Sequence, residues 1–147
     1  MFSAIDSANY FLCQADEDIG DLISNLKLQK LLYYAQGFHL AIYGSKLFPE
    51  DIRAWEHGPV VPEVYHKFKT YGSSAIPVPK GEEMDSSIFN SQQISELLDE
   101  VYTVYGQFSA WKLRNMTHDE APWQETPRDE VISPDKMQDY FKTQLAD

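Results

Sequence analysis

Trp55, Glu56 and His57 stand directly before Gly58-Pro59 in the stretch AWEHGPVVPEVY. A carboxylate beside an imidazole can move protons, because histidine changes charge near neutral pH. The same letters can also end a strand and open a helix, since glycine tolerates backbone angles other residues avoid and Pro62 suits a first helical turn. Acid/base catalysis needs a further placed group. None is legible beside the pair, so Trp55, Glu56 and His57 are expected to serve contact rather than reaction. Glu63 and His66 form one E-x-x-H pair, whereas di-iron bundles need two such pairs plus further glutamates, and no HExxH occurs. His118, Asp119 and Glu120 gather near Trp123 in THDEAPWQETPRDE, a spacing open to a carboxylate-histidine site but expected to be loop capping. His39 falls on an apolar helix face, where a hydrogen-bonded core histidine is the usual arrangement. Lys67 and Lys69 interleave with aromatics as part of a helix face, not a phosphate track. Phosphate-cradling glycine loops, dinucleotide fingerprints and nucleophile elbows do not occur in the sequence. These readings predict no catalytic residue, no metal ligand and no cofactor.

The elements that must position these residues follow from periodicity. Ile5, Ala8, Phe11, Leu12 and Ala15 predict a short first helix before the acidic run Asp16 to Asp18, with Cys13 packing as a small hydrophobe. Ser24 can cap a second helix whose Leu28, Leu31, Leu32, Ala35, Phe38, His39 and Ile42 share a face. Tyr33 and Leu40 lie off that face, which makes this helix, about residues 25–44, apolar on several sides. It is expected at the centre, closed by Gly44 in a left-handed cap. Alternation over 52–57 predicts a brief strand, with a partner expected near 75–78 although Pro77 and Pro79 restrict that segment to an edge. Pro62 to Gly72 reads as a helix turning Val64, Tyr65, Phe68 and Tyr71 inward. The stretch SSAIPVPKGEEMDSSIFN reads as a flexible arm. Asn90 with Gln93 resembles a capping box for a helix carrying Ile94, Leu97, Leu98, Val101 and Tyr105, stopped by Gly106. Ser109 caps a helix through Trp111, Leu113 and Met116, and Ser133-Pro134 opens a last one with Met137, Tyr140, Phe141 and Leu145. The predicted fold is mainly α: one compact domain over 1–147, a helical bundle around the central helix, with a small β-hairpin or two short strands.

Charge and composition narrow the function. Apolar residues are 43% and aromatics 14% of 147 residues, enough for a folded core. A net charge of −11 repels phosphate backbones and draws in basic partners, which disfavours free nucleic acid as a ligand. The single cysteine, Cys13, excludes an internal disulfide and any zinc site needing two cysteines of this chain, and suits reducing cytoplasm. No basic leader with an apolar core opens MFSAIDSANYFLCQADED, and no run reaches the ~18 apolar residues of a membrane span. The expectation is a cytoplasmic protein without a membrane partner.

Three strings in order, LKLQKLLYYAQGFHL, AWEHGPVVPEVYHKFKTYG and SAWKLRNMTHDEAPWQET, resemble the Panacea domain, the SocA-like or GepA-like family of antitoxin and phage-associated proteins. The resemblance runs from about Ser24 to Thr126. It rests on Leu28, Gln29, Lys30, Leu31, Leu32, Tyr33, Tyr34, Trp55, Gly58, Pro59, Val60, Tyr65, His118, Pro122 and Trp123. It implies a helical antitoxin that neutralises a toxin encoded beside it, and it assigns no catalytic role to these positions; direct binding of the toxin is the first reading. Contact residues follow from physical reasoning instead: Trp55, His57 and Trp123 as aromatic or imidazole anchors with Glu56, and Glu82, Glu83, Asp129 and Glu130 as acidic groups that steer a basic toxin. Other readings are a proteolytic adaptor handing the toxin to a protease, a phage-borne protein aimed at a host factor, and a small metal-dependent hydrolase built on His57, His118 and nearby carboxylates.

Overall fold

The computed structural model describes residues 2–15, 22–79 and 87–145. The acidic run Asp16 to Asp18, Glu82 and Glu83, and the middle of the expected arm lie outside them. Helix α1 (Ala4–Gln14) opens on a capping box in which the Ser3 hydroxyl accepts from the Asp6 amide and Asp6 accepts from the Ser3 amide. Helix α2 (Asn25–Tyr43) is capped by Ser24 and closed by Gly44 in the left-handed region, φ 72°. Strands β1 (Arg53–Trp55) and β2 (Gly58–Val60) follow, then α3 (Pro62–Phe68) and a 3-10 turn at Lys69–Tyr71. The remaining elements are α4 (Ser87–Asn90), α5 (Gln92–Tyr105), α6 (Ala110–His118), α7 (Ala121–Gln124) and α8 (Pro134–Lys142). The protein is mainly helical with a small two-stranded antiparallel sheet, as the sequence predicts.

Helix α2 is the centre because α1, α3, α5, α6, α8 and β2 all pack on it, covering every side except at its last turn, where Ile42 and Tyr43 are exposed. Leu28, Leu31, Leu32, Tyr33 and Ala35 are fully buried there. Its polar side chains, cut off from water, bond to the connections around the helix. Gln36 accepts from the Leu47 amide at 2.7 Å and donates to the Phe48 carbonyl at 2.9 Å. Gln29 accepts from the Val61 amide at 2.8 Å, and Asn25 donates to the Tyr65 carbonyl at 3.1 Å. The ring Nδ1 of His39 lies 2.6 Å from the Ser45 carbonyl, the core histidine expected from sequence.

Some boundaries differ from expectation. The partner of β1 is β2, not 75–78, because Glu56 and His57 form a tight turn, with Gly58 at φ 116°, that pairs Arg53 with Val60 and Trp55 with Gly58. Glu56 and His57 therefore belong to the turn. Residues 75–76 join the start of α2 instead, through an Ala75–Ser24 bridge and an Ile76 amide bond to the Ile23 carbonyl. The other edge of β1 takes residues 129–132, with Asp129 donating to the Ala54 carbonyl at 2.8 Å and Ile132 to that of Ile52 at 2.8 Å. Ser91, not Asn90, stands at the N-cap position of α5, without a side-chain capping bond, because Asn90 is the last residue of α4. Tyr71 is 40% exposed, since the 3-10 turn rotates it off the inward face of α3.

Helix α8 reaches α2 through a glycine. A methyl group built on Gly37 would overlap the Phe141 ring, which is boxed edge-on by Tyr33, Tyr34 and Phe38. A ring held on three sides cannot swing away. Gly37→Ala is therefore expected to cost about 1–3 kcal/mol by overpacking despite its better helix propensity, read as a lower urea midpoint with an unchanged slope.

Candidate functional site at the hairpin corner

The β1–β2 turn rests on the α6–α7 corner, and indole chemistry joins them. Trp123 Nε1 donates to the Trp55 carbonyl at 2.7 Å, fixing the turn to α7. The His118 ring stacks on Trp123 at 3.9 Å and 8°, and the Arg128 guanidinium lies 3.8 Å from the same ring. Arg128 also donates to the Trp123 and Thr126 carbonyls at 2.9 and 2.8 Å. Trp55 packs edge-on against Tyr65 at 5.1 Å. Both expected anchors, Trp55 and Trp123, are thus half-buried and engaged within the fold, whereas Glu56 and His57 are exposed at the tip of the turn.

Beneath the turn lies Lys30, fully buried, its ammonium 3.2 Å from the Pro59 carbonyl. A Cβ on Gly58 would meet Lys30 Cε at 2.6 Å and Thr117 Oγ1 at 2.9 Å, so glycine is required there for space as well as for backbone angle. Burial, with the Arg114 charge adding to it, pulls the Lys30 ammonium down to about 7. The His118 imidazole is lowered by burial, then by Arg114 and Lys30, while a hydrogen bond to the Glu56 backbone pulls the other way and Arg128 lowers it further. Arg114 Nε and His118 Nε2 are buried without a hydrogen-bond partner among the described residues.

Glu120, expected as a loop cap, points into the core instead. Its Oε1 accepts from the Tyr33 hydroxyl at 2.9 Å and its Oε2 from that of Tyr34 at 2.8 Å. Burial pushes this carboxyl up to about 7; hydrogen bonds from Tyr34, Tyr33 and Tyr140 pull it down, and nearby Asp119 adds to the rise. His118 and Glu120, adjacent in the sequence motif, so serve different networks. The exposed Glu63 and His66 stay on the surface of α3, and among the described residues no three His, Cys, Asp or Glu side chains gather as a metal site. Asp129, at φ 70°, and Glu130 are exposed, while their main chains extend the sheet. Sequence reasoning missed Arg114 and Arg128, although Arg114 sits one helical turn from Trp111 and lies over that indole at 4.5 Å. It also passed over the buried charge of Lys30, which the all-round apolar pattern of α2 could have exposed.

The family model for the Antitoxin SocA-like Panacea domain matches residues 28–124, the span holding most of α2, the hairpin, Lys30, His118, Glu120 and Trp123. The chain belongs to the Panacea family. The protein is similar to Antitoxin SocA of Caulobacter vibrioides (strain NA1000 / CB15N), 36% identical over 109 residues, covering 69% of this chain and 58% of the relative. It thus spans little more than half of that relative's length. No solved structure matches. Within the Panacea region the corner is a fastened piece of architecture, carrying two buried titratable groups and an exposed turn.

Those two groups give stability a signature in pH. Folded Glu120 keeps a proton that the unfolded chain releases between 4.5 and about 7, so stability falls as pH rises through that window. Folded Lys30 lacks a proton that the unfolded chain holds between about 7 and 10.5, so stability rises across that one. His118 adds a rise below its ordinary value of 6.5, opposing Glu120. Urea midpoints at pH 5, 7 and 9 should show Glu120→Gln losing the acid-side decline and Lys30→Met losing the alkaline-side rise, each a change of order 1–3 kcal/mol. In a separate test of the corner, Trp123→Phe removes the bond to Trp55 and should cost about 1–3 kcal/mol. Exposed His57→Ala should shift stability by less than about 0.5 kcal/mol; a larger loss would place that imidazole in the scaffold.

Proposed function

We propose that this protein is the antitoxin of a toxin–antitoxin pair, a cytoplasmic protein that neutralises its toxin by binding it directly and catalyses no reaction. The observation that carries this reading is the match of the SocA-like Panacea model to residues 28–124. Two physical features support it. A net charge of −11 suits a basic protein partner and opposes phosphate polymers. The histidines and carboxylates of the corner are divided between internal networks and an exposed rim. On this reading Glu56, His57, Asp129 and Glu130 contribute a contact rim over the half-buried Trp55–Trp123 pair, and Glu82 and Glu83 add negative charge that steers the approach. Steering of this kind raises the association rate and fades with salt.

The test is co-expression with the product of the adjacent gene. Growth arrest by that product alone, relieved by this protein, is the expected result, together with a stable complex of the two purified chains. Relief that disappears in a protease-deficient host would make the protein a delivery adaptor. A neighbour harmless by itself would remove the antitoxin assignment.

A further inference from the structure

Of the large apolar side chains exposed on the surface, Ile42, Val104 and Leu145 meet in one groove. Phe38 and Ile42 at the end of α2, Val101, Val104 and Tyr105 of α5, and Leu145 beyond α8 line an open groove of about 320 Å³. Ile42 is 48% exposed, and Val104 and Leu145 are each 38% exposed. The floor is rigid: Tyr105 stacks on Tyr34 at 3.9 Å and 7°, and Tyr34 is held in turn by Glu120. Glu100 supplies the charge among the lining residues, and Glu96 is exposed one turn earlier on α5, a helix with neither Lys nor Arg.

A channel between two helices, apolar along its floor, accepts the i, i+3, i+4, i+7 stripe of a third helix. The acidic shoulder along α5 selects the charge of that helix. A second copy of this chain would carry the same net charge of −11 and bring like carboxylates to the contact. We propose that this groove seats the apolar stripe of a basic amphipathic helix presented by the toxin, whose Lys or Arg side chains meet Glu96 and Glu100. The identity of the partner rests on the antitoxin reading, whereas the chemistry of the groove stands on the residues that line it. All the lining residues named here except Leu145 fall inside the segment 28–124 matched by the family. The surface offered is distinct from the hairpin corner, where Trp55 and Trp123 are already engaged.

The experiment uses the full chain and a fluorescein-labelled 15-residue amphipathic helix of Leu and Lys, followed by fluorescence anisotropy. Wild type is expected to bind it, and Val104→Asp to weaken binding at least tenfold while melting like wild type. This substitution separates two causes, because it adds negative charge while destroying the apolar seat. Binding that is unchanged or tighter in Val104→Asp would mean attraction to general surface charge and would overturn the proposal. Should the aspartate variant fail to fold, Val104→Ala, which adds no charge, makes the same distinction. Glu100→Gln is expected to weaken binding severalfold and to flatten its salt dependence. Light scattering decides the other occupant: a dimer that Val104→Asp breaks would assign the groove to a second copy and overturn the proposal. In cells where wild type relieves toxicity, full relief by Val104→Asp would remove the groove and leave the antitoxin reading intact. Failure of wild type to relieve it would remove that reading while the peptide result stands.

Discussion

A helix covered on all sides along most of its length cannot send the polar side chains there to water, and α2 is built around that constraint. Each buried polar group must find a partner inside, or its desolvation is uncompensated. Gln29, Gln36, Asn25 and His39 find theirs on neighbouring main chain: the link into α3, the bend after Tyr43 and the middle of α3 itself. The helix therefore organises its surroundings twice, through apolar contact and through hydrogen bonds that give each connection one register. Lys30 is the extreme case, an ammonium paired with the Pro59 carbonyl and with no carboxylate among the described residues, held where the hairpin crosses the helix.

How much of this was legible depends on the range of the interaction. Helix caps at Ser24, Ser109 and Ser133, the left-handed Gly44 and the buried faces of α2 and α5 follow from local pattern and were readable. The hairpin register was not, because Glu56 and His57 continue the alternation of β1 and only the φ of Gly58 turns the chain back. Nor was the strand-like edge at 129–132, since such pairing depends on where α6 and α7 place a segment more than 70 residues away, as in the Arg53–Val131 bridge. Glu120 shows the same limit. Its neighbours in sequence suggest a loop, and only the convergence of Tyr33, Tyr34 and Tyr140 makes it a core residue.

At the candidate site the sequence singles out Trp55 and Trp123 as partner anchors, and the structure places both at the hairpin corner. Trp55 and Trp123 looked like anchors for a partner, yet each spends a polar or aromatic surface on the other side of the corner. Large aromatic groups with a polar tip suit either task, and composition does not separate them. At Trp123 the indole N–H already has an acceptor, the Trp55 carbonyl, and the ring is stacked between His118 and Arg128. Trp111 shows the contrast: it is 62% exposed, with the Arg114 guanidinium over its ring.

The seat of Phe141 against Gly37 bears on how the molecule comes into being. The two positions are more than 100 residues apart, so the middle of α2 stays uncovered during synthesis until α8 has left the ribosome. Until then a nascent chain would present the α8-facing side of α2, a window in which a chaperone or a newly made partner has first access.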